Sequence, residues 1–400
     1  MVLRALAIVL TIILGCSTAH GQFINTGQPI FIDQNALMVV QGDIRNTSGS
    51  FLHKGDLKFS GNWLNDDFQK GFRTGSTGTV VLNGPEQTIG GSRSTSFPRL
   101  EVRGTGTKFL NANAEVTGVL LLLGELNVNE NALYVTNPDV NTIVRTTGFI
   151  NTDKGGKLIR NTNSNELYPY PLGNSERYRP LLIMPTTSEA MTFSATMFNE
   201  DPTIRGYDVT SKRPDVKSVF SRYYYLVNQD QGTSNAHIRF FLNTDAAADP
   251  LESEGDIKQL VSWSNYRLWE KAGPSALTVG DFDGGSDRSL LFTATSPIRS
   301  TAFTFAEGDE DPLTFFNAFS PDGDGRNDRW TIRNIDLFPD NELTIFNRWG
   351  DAVFKTRSYS SMNSWDGGNA NGGTYYYVLN VNIKGSKKSY KGFITMLKKD

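Results

Sequence analysis

The chain has 400 residues, enough for two or three domains with a sizeable buried core. Its 39 Lys and Arg against 42 Asp and Glu give a formal net charge of −3, without the basic excess that marks a nucleic-acid binder. Hydrophobic residues at 38% exclude a disordered chain, and 38 Gly beside only 20% charged residues favour short strands joined by turns over a coiled coil or a multi-span membrane protein.

The chain opens with Arg4, an apolar run from Ala5 to Leu14 and a small, polar stretch ending Ala19-His20-Gly21. This order predicts a secretory signal peptide over residues 1–21, with Gln22 as the mature N-terminus. A competing reading takes Ile13-Leu14-Gly15-Cys16 as a lipoprotein box, although Leu14 stands where a smaller residue fits better. Cys16 is the one cysteine, so an exported chain must draw its stability from burial and sheet pairing rather than disulfides.

Residues 22–160 read as short strands between Gly and Asn turns. Apolar clusters stand at 36–40, 57–59, 79–82, 119–123 and 132–135, and Gly42-Asp43-Ile44, Gly55-Asp56-Leu57 and Gly61-Asn62-Trp63 each set a turn pair before an apolar residue. Stacked β-solenoid rungs produce such a pattern, and an antiparallel meander is the alternative. From 161 to 312 the texture changes: β-like runs at 191–197, 220–227, 237–242 and 290–294 predict a β-sandwich. Asp245–Asp256 reads as a surface loop or short helix, and Glu307-Gly308-Asp309-Glu310-Asp311-Pro312 as a linker open to proteolysis. Trp263, Tyr266 and Trp269 are expected to pack a core; as an exposed row they would instead suit a sugar.

The segment from Leu313 onward carries a succession of separated motifs. Asn317 begins a run containing Ser320-Pro321-Asp322-Gly323-Asp324-Gly325-Arg326-Asn327-Asp328; Phe346-Asn347-Arg348-Trp349-Gly350 follows, then Trp365-Asp366-Gly367, Gly373-Thr374-Tyr375-Tyr376 and Lys391-Gly392. Asn347–Gly350 reads as a turn between two strands, and Thr374–Val378 as an inner strand, with Trp349, Trp365 and Tyr376 expected as packing anchors. In order and spacing these motifs resemble the gliding-motility-associated C-terminal domain of Bacteroidota, the type B sorting signal of the type IX secretion system. The resemblance implies an Ig-like β-sandwich over 313–400, recognised as folded cargo by the outer-membrane machinery with the help of an outer-membrane partner protein. Lys384, Lys387, Lys388, Lys391, Lys398 and Lys399 give this segment a basic end suited to an acidic receptor surface, or to guarding an edge strand.

Two loops share the spacing D-x-D-G-x-x-D, at Asp322–Asp328 and Asp281–Asp287. Close carboxylates on a Gly turn offer hard oxygens, which makes Asp322, Asp324 and Asp328 a candidate calcium site. The loop is not an EF-hand, since Arg326 takes a ligand position and Arg333 stands in place of the bidentate Glu. Asp and Gly equally serve ordinary turns.

For catalysis a mature chain would have His53 and His237 alone among histidines, and both are expected as surface or packing residues, His53 in a turn. The chain lacks a G-x-S-x-G elbow, a P-loop and a dinucleotide fingerprint, and it has too few His and Cys for a zinc site. Two carboxylates would suffice for a glycosidase. The expectation is an all-β, non-enzymatic structural or adhesive surface protein that binds no nucleic acid and meets a surface glycan or protein. A carbohydrate-binding or carbohydrate-cleaving cargo with the same sorting domain is the alternative.

Overall fold

The computed structural model describes residues 21–398 except 175–176, 214–215, 243–258, 273–276, 283–284, 295–296, 309–312 and 384–385. Residues 1–20 of the expected leader, the loop at 245–256, most of the acidic linker, part of the second acidic loop, Lys384 and Lys399 therefore lie outside the described residues, whereas Gly21 begins a strand. The described elements are strands and three short 3₁₀ turns, so the chain is all-β. It divides between Gly308 and Asp309 into two units.

The first unit begins as a β-solenoid. Strands starting at residues 21, 42, 63, 87, 108, 125 and 149 form one sheet, and those starting at 37, 56, 79, 95, 114, 132 and 157 run consecutively in a second. Neighbours within each run are parallel, so each rung gives one strand to each sheet and buries its inward residues on the rung before. The register stacks like on like: Met38, Leu57, Val80, Leu100, Leu120 and Ile143 form one column, and Val40, Phe59, Leu82, Val102 and Leu122 another. From Leu57 and Phe59 onward these side chains are buried, each worth about 2 kcal/mol in apolar transfer. The rung length varies, from Lys108 opposite Leu126 to Trp63 opposite Ile89, which explains the irregular spacing of the sequence clusters. The recurrent glycines have a steric cause. A Cβ on Gly42 would stand 1.8 Å from the Gly21 oxygen, where the chain turns over the backbone of the preceding rung.

Several polar side chains enter this interior with partners. Asn25 donates to Asn46 Oδ1 (3.1 Å) and Asn46 to Asn65 Oδ1 (3.0 Å), a ladder rising through three rungs. The indole of Trp63 donates to Thr95 (2.8 Å) and stacks on Phe72 at 5.0 Å. Lys108 Nζ lies 2.9–3.2 Å from the carbonyl oxygens of Gly84, Pro85, Thr105 and Gly106, pinning two rung corners together.

At residue 160 the pairing changes within one sheet. The strand Lys157–Thr162 runs parallel to Ala132–Val135 on one side and antiparallel to Met191–Phe198 on the other. Arg160 follows Phe97, Val116 and Val135 in an inward column. Its fully buried guanidinium donates to the carbonyls of Pro169, Asp139 and Val140, closing the solenoid with hydrogen bonds instead of another apolar rung. The antiparallel continuation takes Tyr224–Gln231, Thr301–Gly308, Gln259–Trp263 and Trp269–Lys271 in turn. A separate five-stranded antiparallel sheet, Tyr168–Tyr170, Leu181–Pro185, Ala236–Leu242, Gly285–Thr293 and Leu277–Phe282, meets it through Phe240, whose ring lies 5.2 Å from Tyr225 and 5.1 Å from Phe303.

The second unit holds a five-stranded sheet in the order Ala318–Phe319, Ser386–Met396, Gly373–Ile383, Asn341–Phe346, Ala352–Arg357. Its buried side carries Leu343, Ile345, Tyr375, Tyr377, Leu379, Val381 and Ile394, in one cluster with Trp330, Tyr359 and Trp365.

The Asn ladder gives a direct test of the stacking. Asn46→Ala leaves the Asn25 amide and the Asn65 oxygen without their partners inside the solenoid, and should lower stability by about 2 kcal/mol in urea unfolding of the full chain.

Candidate functional site

Several ionisable groups of the first unit are held as structural parts. His53 ends the strand Gly42–His53 rather than lying in a turn; its ring is fully buried, packs at 5.5 Å on Phe72, and has no hydrogen-bond partner at either nitrogen. Burial depresses its pKa to about 4, with Asp56 opposing. His237 lies in another sheet, with Nδ1 3.0 Å from the Thr293 hydroxyl. Burial likewise draws Lys108 below the ordinary lysine range, with Glu86 opposing. A shallow recess on the solenoid is lined by Lys58, Val81, Asn83, Arg103 and Gly104, with no carboxylate among them.

The aromatic trio does not form a row. Trp269 is fully buried and donates from Nε1 to the Tyr207 carbonyl (3.2 Å); Trp263 is half-buried, edge-on to it at 5.3 Å; Tyr266 alone stands out, 78% exposed.

In the second unit the three predicted carboxylates do come together: oxygens of Asp322, Asp324 and Asp328 lie within 4.8 Å of one another. The hydrogen bonds show how the loop uses them. Asp328 accepts the Gly323 amide on Oδ1 (2.7 Å) and the Gly325 amide on Oδ2 (2.8 Å), while Asp324 accepts the Arg326 amide (2.7 Å). Ser320 donates its amide to the Asn327 carbonyl, and Gly323, Gly325 and Asn327 all take positive φ. These contacts make the carboxylates caps of a tight turn, whichever cation they could also attract. The Asp281–Asp287 loop lies partly outside the described residues.

The other signature residues divide between buried supports and an exposed display. Asn317 accepts the Thr395 amide through its carbonyl (2.7 Å), joining the start of the unit to its last strand. Trp365 is buried between Phe319 and Tyr375, and Asp366 accepts the Gly368 amide and pairs with Arg329. Gly367 leaves room for Met396, whose sulfur would stand 2.3 Å from an added Cβ. Gly392 leaves room for Tyr377, whose hydroxyl would stand 2.5 Å from a Cβ there; the Tyr377 ring stacks on Phe315 at 5.1 Å. Pro321 is half-buried beside the acidic loop, and Gly373 opens its strand at φ 149°.

Two expected packing anchors are not buried. Trp349 is 82% exposed and Tyr376 51%. In Gly373–Ile383 the odd positions face the core, so Tyr375 and Tyr377 are buried while Thr374 and Tyr376 point away. Trp349 sits in the turn after Phe346, where the chain leaves the sheet. The outward position of Phe393, 52% exposed and outside the signature set, follows from the same alternation read across the Ser386–Met396 strand.

Two measurements check these assignments. His53 must charge on unfolding below its ordinary pKa of 6.5 but resists charging when folded down to about 4. Its contribution therefore weakens stability as pH falls through that window, by up to about 3 kcal/mol at pH 4. His53→Leu should remove that part of the slope and stabilise the chain at pH 5 in chemical unfolding. Gly392→Val should destabilise the second unit by about 2 kcal/mol through the clash with Tyr377, seen as faster amide exchange along Ser386–Met396.

Comparison with known proteins gives one match. Residues 313–396 fit the family model described as the CHU_C Type IX secretion signal domain. No curated protein and no solved structure gives a significant match. The matched span takes in the acidic loop, the Asn347–Gly350 turn, the buried Trp365 and the Gly373–Met396 hairpin. The C-terminal unit is thus a type IX secretion signal domain, which marks this chain for export to the cell surface or the extracellular space.

Proposed function

We propose that the chain is a non-enzymatic structural or adhesive protein of the cell surface, with the 22–308 region as the delivered part. The observation that carries this reading is the fate of the aromatic trio: Trp269 is fully buried and Trp263 packs on it, so within the trio Tyr266 is left without a companion to form a sugar-stacking row. The buried His53 and the carbonyl-bound Lys108 and Arg160 support it, since groups spent on the solenoid's own packing are withheld from substrate. On this reading residues 1–21 are a cleaved signal peptide, the chain folds in the periplasm, and an outer-membrane partner protein assists capture of the sorting domain. The antiparallel region of the first unit works as a β-sandwich, and the second unit as an Ig-like module. A surface glycan or protein is the adhesion target.

A secreted carbohydrate-binding or carbohydrate-cleaving cargo is the second reading. Exposed Tyr266, with the Arg213 guanidinium 5.9 Å from its ring, is the feature that favours it.

Fractionation of the native host expressing the full chain and a chain ending at Asp311 tests the delivery. The full chain should reach the surface or medium, and the shortened one should remain folded in the periplasm. Equal export of both would remove the sorting role. Passage of the purified full chain over insoluble polysaccharides separates the two readings: retention abolished by Tyr266→Ala would establish the second, whereas Tyr266→Ala should leave any retention unchanged under the first.

A further inference from the structure

We infer that the outward face of the second unit's sheet, with the Trp349 turn at its margin, is the surface that the export machinery grips, and that its partner there is an apolar protein patch rimmed with carboxylates. The inference rests on the sorting role of residues 313–396 and names the part of the domain that is read.

The face follows from strand register. Tyr376 lies opposite Phe393 on one neighbouring strand and opposite Phe346 on the other. All three point away from the core, because Tyr375, Tyr377, Ile345 and Ile394 take the buried positions beside them. With strands ~4.8 Å apart, the row is about 10 Å long. Half-exposed aromatic neighbours gain something from each other across strands, so the row alone could be a stabilising device.

Trp349 has no such explanation. It projects from the turn beyond Phe346, 82% exposed, and the turn is built to hold that pose without using the indole. Asn347 Oδ1 accepts the amides of Trp349 and Asp351 (2.9 Å each), Asn347 Nδ2 donates to Asp351 Oδ2 (3.0 Å), and Gly350 takes φ 91° to donate to the Asn347 carbonyl. A hydrogen-bonded turn that keeps the largest apolar side chain in water, three residues beyond the outward Phe346, describes a binding surface more than a folding device.

Charge selects the occupant. Arg348 lies beside the indole, with its guanidinium 6.0 Å from the ring. On the outward face below the row stand Lys355, Arg357, Lys387 and Lys391, opposite Thr344, Glu342, Asn382 and Val378 respectively. Glu342 is already paired with Lys355 at 3.1 Å, and Asp351 is held in the turn. The surplus is positive. A second copy docked face to face would set these cations against their own equivalents, whereas a carboxylate-rimmed apolar patch satisfies both row and rim.

The test expresses full-length variants in the native host and reads the surface-exposed fraction by protease shaving, beside the chain ending at Asp311. Trp349→Ser should lower the surface fraction at least fivefold and leave periplasmic protein as protease-resistant as wild type, while Trp349→Phe should retain most export. The double change Lys355→Glu with Lys391→Glu should reduce export to a similar extent. The pair Tyr376→Thr and Phe393→Thr extends the test to the row; if that variant fails to fold, Trp349→Ser and the charge pair decide. Wild-type export of Trp349→Ser and of the charge pair, with the shortened chain retained, overturns the inference and leaves the sorting role intact. Export of the shortened chain as well overturns the sorting role itself. Normal export joined to loss of self-association, or to loss of polysaccharide retention, would assign the face to a second copy or a glycan and equally overturn the inference.

Discussion

Parallel stacking in register is the constraint on which the first unit depends. Each inward residue meets its counterpart on the next rung about 4.8 Å away, so one misplaced polar group would be repeated against two neighbours. Two solutions occur side by side. Apolar columns such as Met38 to Ile143 carry burial, and the Asn25–Asn46–Asn65 ladder carries hydrogen bonds from rung to rung. Gln87 follows the same rule where no ladder exists: its side chain donates to the carbonyls of Phe59 and Gly61 and accepts the Gly84 amide. His53 is an exception, tolerated as a neutral aromatic against Phe72.

The same constraint governs how the stack ends. A parallel column must terminate in something that needs no further rung. Arg160 does this by replacing an apolar residue with a guanidinium whose partners are carbonyls of the closing segment. Thr152 strengthens the joint, donating to the Met197 carbonyl (2.9 Å) and accepting the Met197 amide (2.8 Å). The change of texture in the sequence near residue 160 thus reflects a change of strand direction within one continuous sheet.

Strand clusters, the Asn347–Gly350 turn and the convergence of the three loop carboxylates were legible in the sequence because each depends on residues close together along the chain. Side-chain direction was not. Thr374 to Val378 is β-prone at every position, so its two-residue period is hidden and Tyr376 cannot be told from Tyr375 without the register. Tyr223, Tyr224 and Tyr225 show the opposite outcome for a similar run: all three are fully buried, with Tyr224 in one cluster beside Phe198 and its two neighbours in another. A tyrosine triplet therefore says strand, and only the layers around it say which side is wet. His53 misled for a related reason, since Lys54 and Gly55 beside it are turn residues while the ring itself still points inward.

A sorting domain has to be stable and recognisable at once, and a two-faced sheet separates these demands by parity. Inward positions from Leu343 to Ile394 close on Trp330, Tyr359 and Trp365, and Gly392 gives up its side chain so that Tyr377 can lie flat there. Outward positions are then free to hold aromatic and cationic groups at little cost to folding, because none is needed to fill the core. The Trp349 turn carries the separation furthest. Its geometry is fixed by Asn347, Gly350 and Asp351 through backbone and amide contacts, so the identity of the displayed side chain is decoupled from the stability of the turn that displays it.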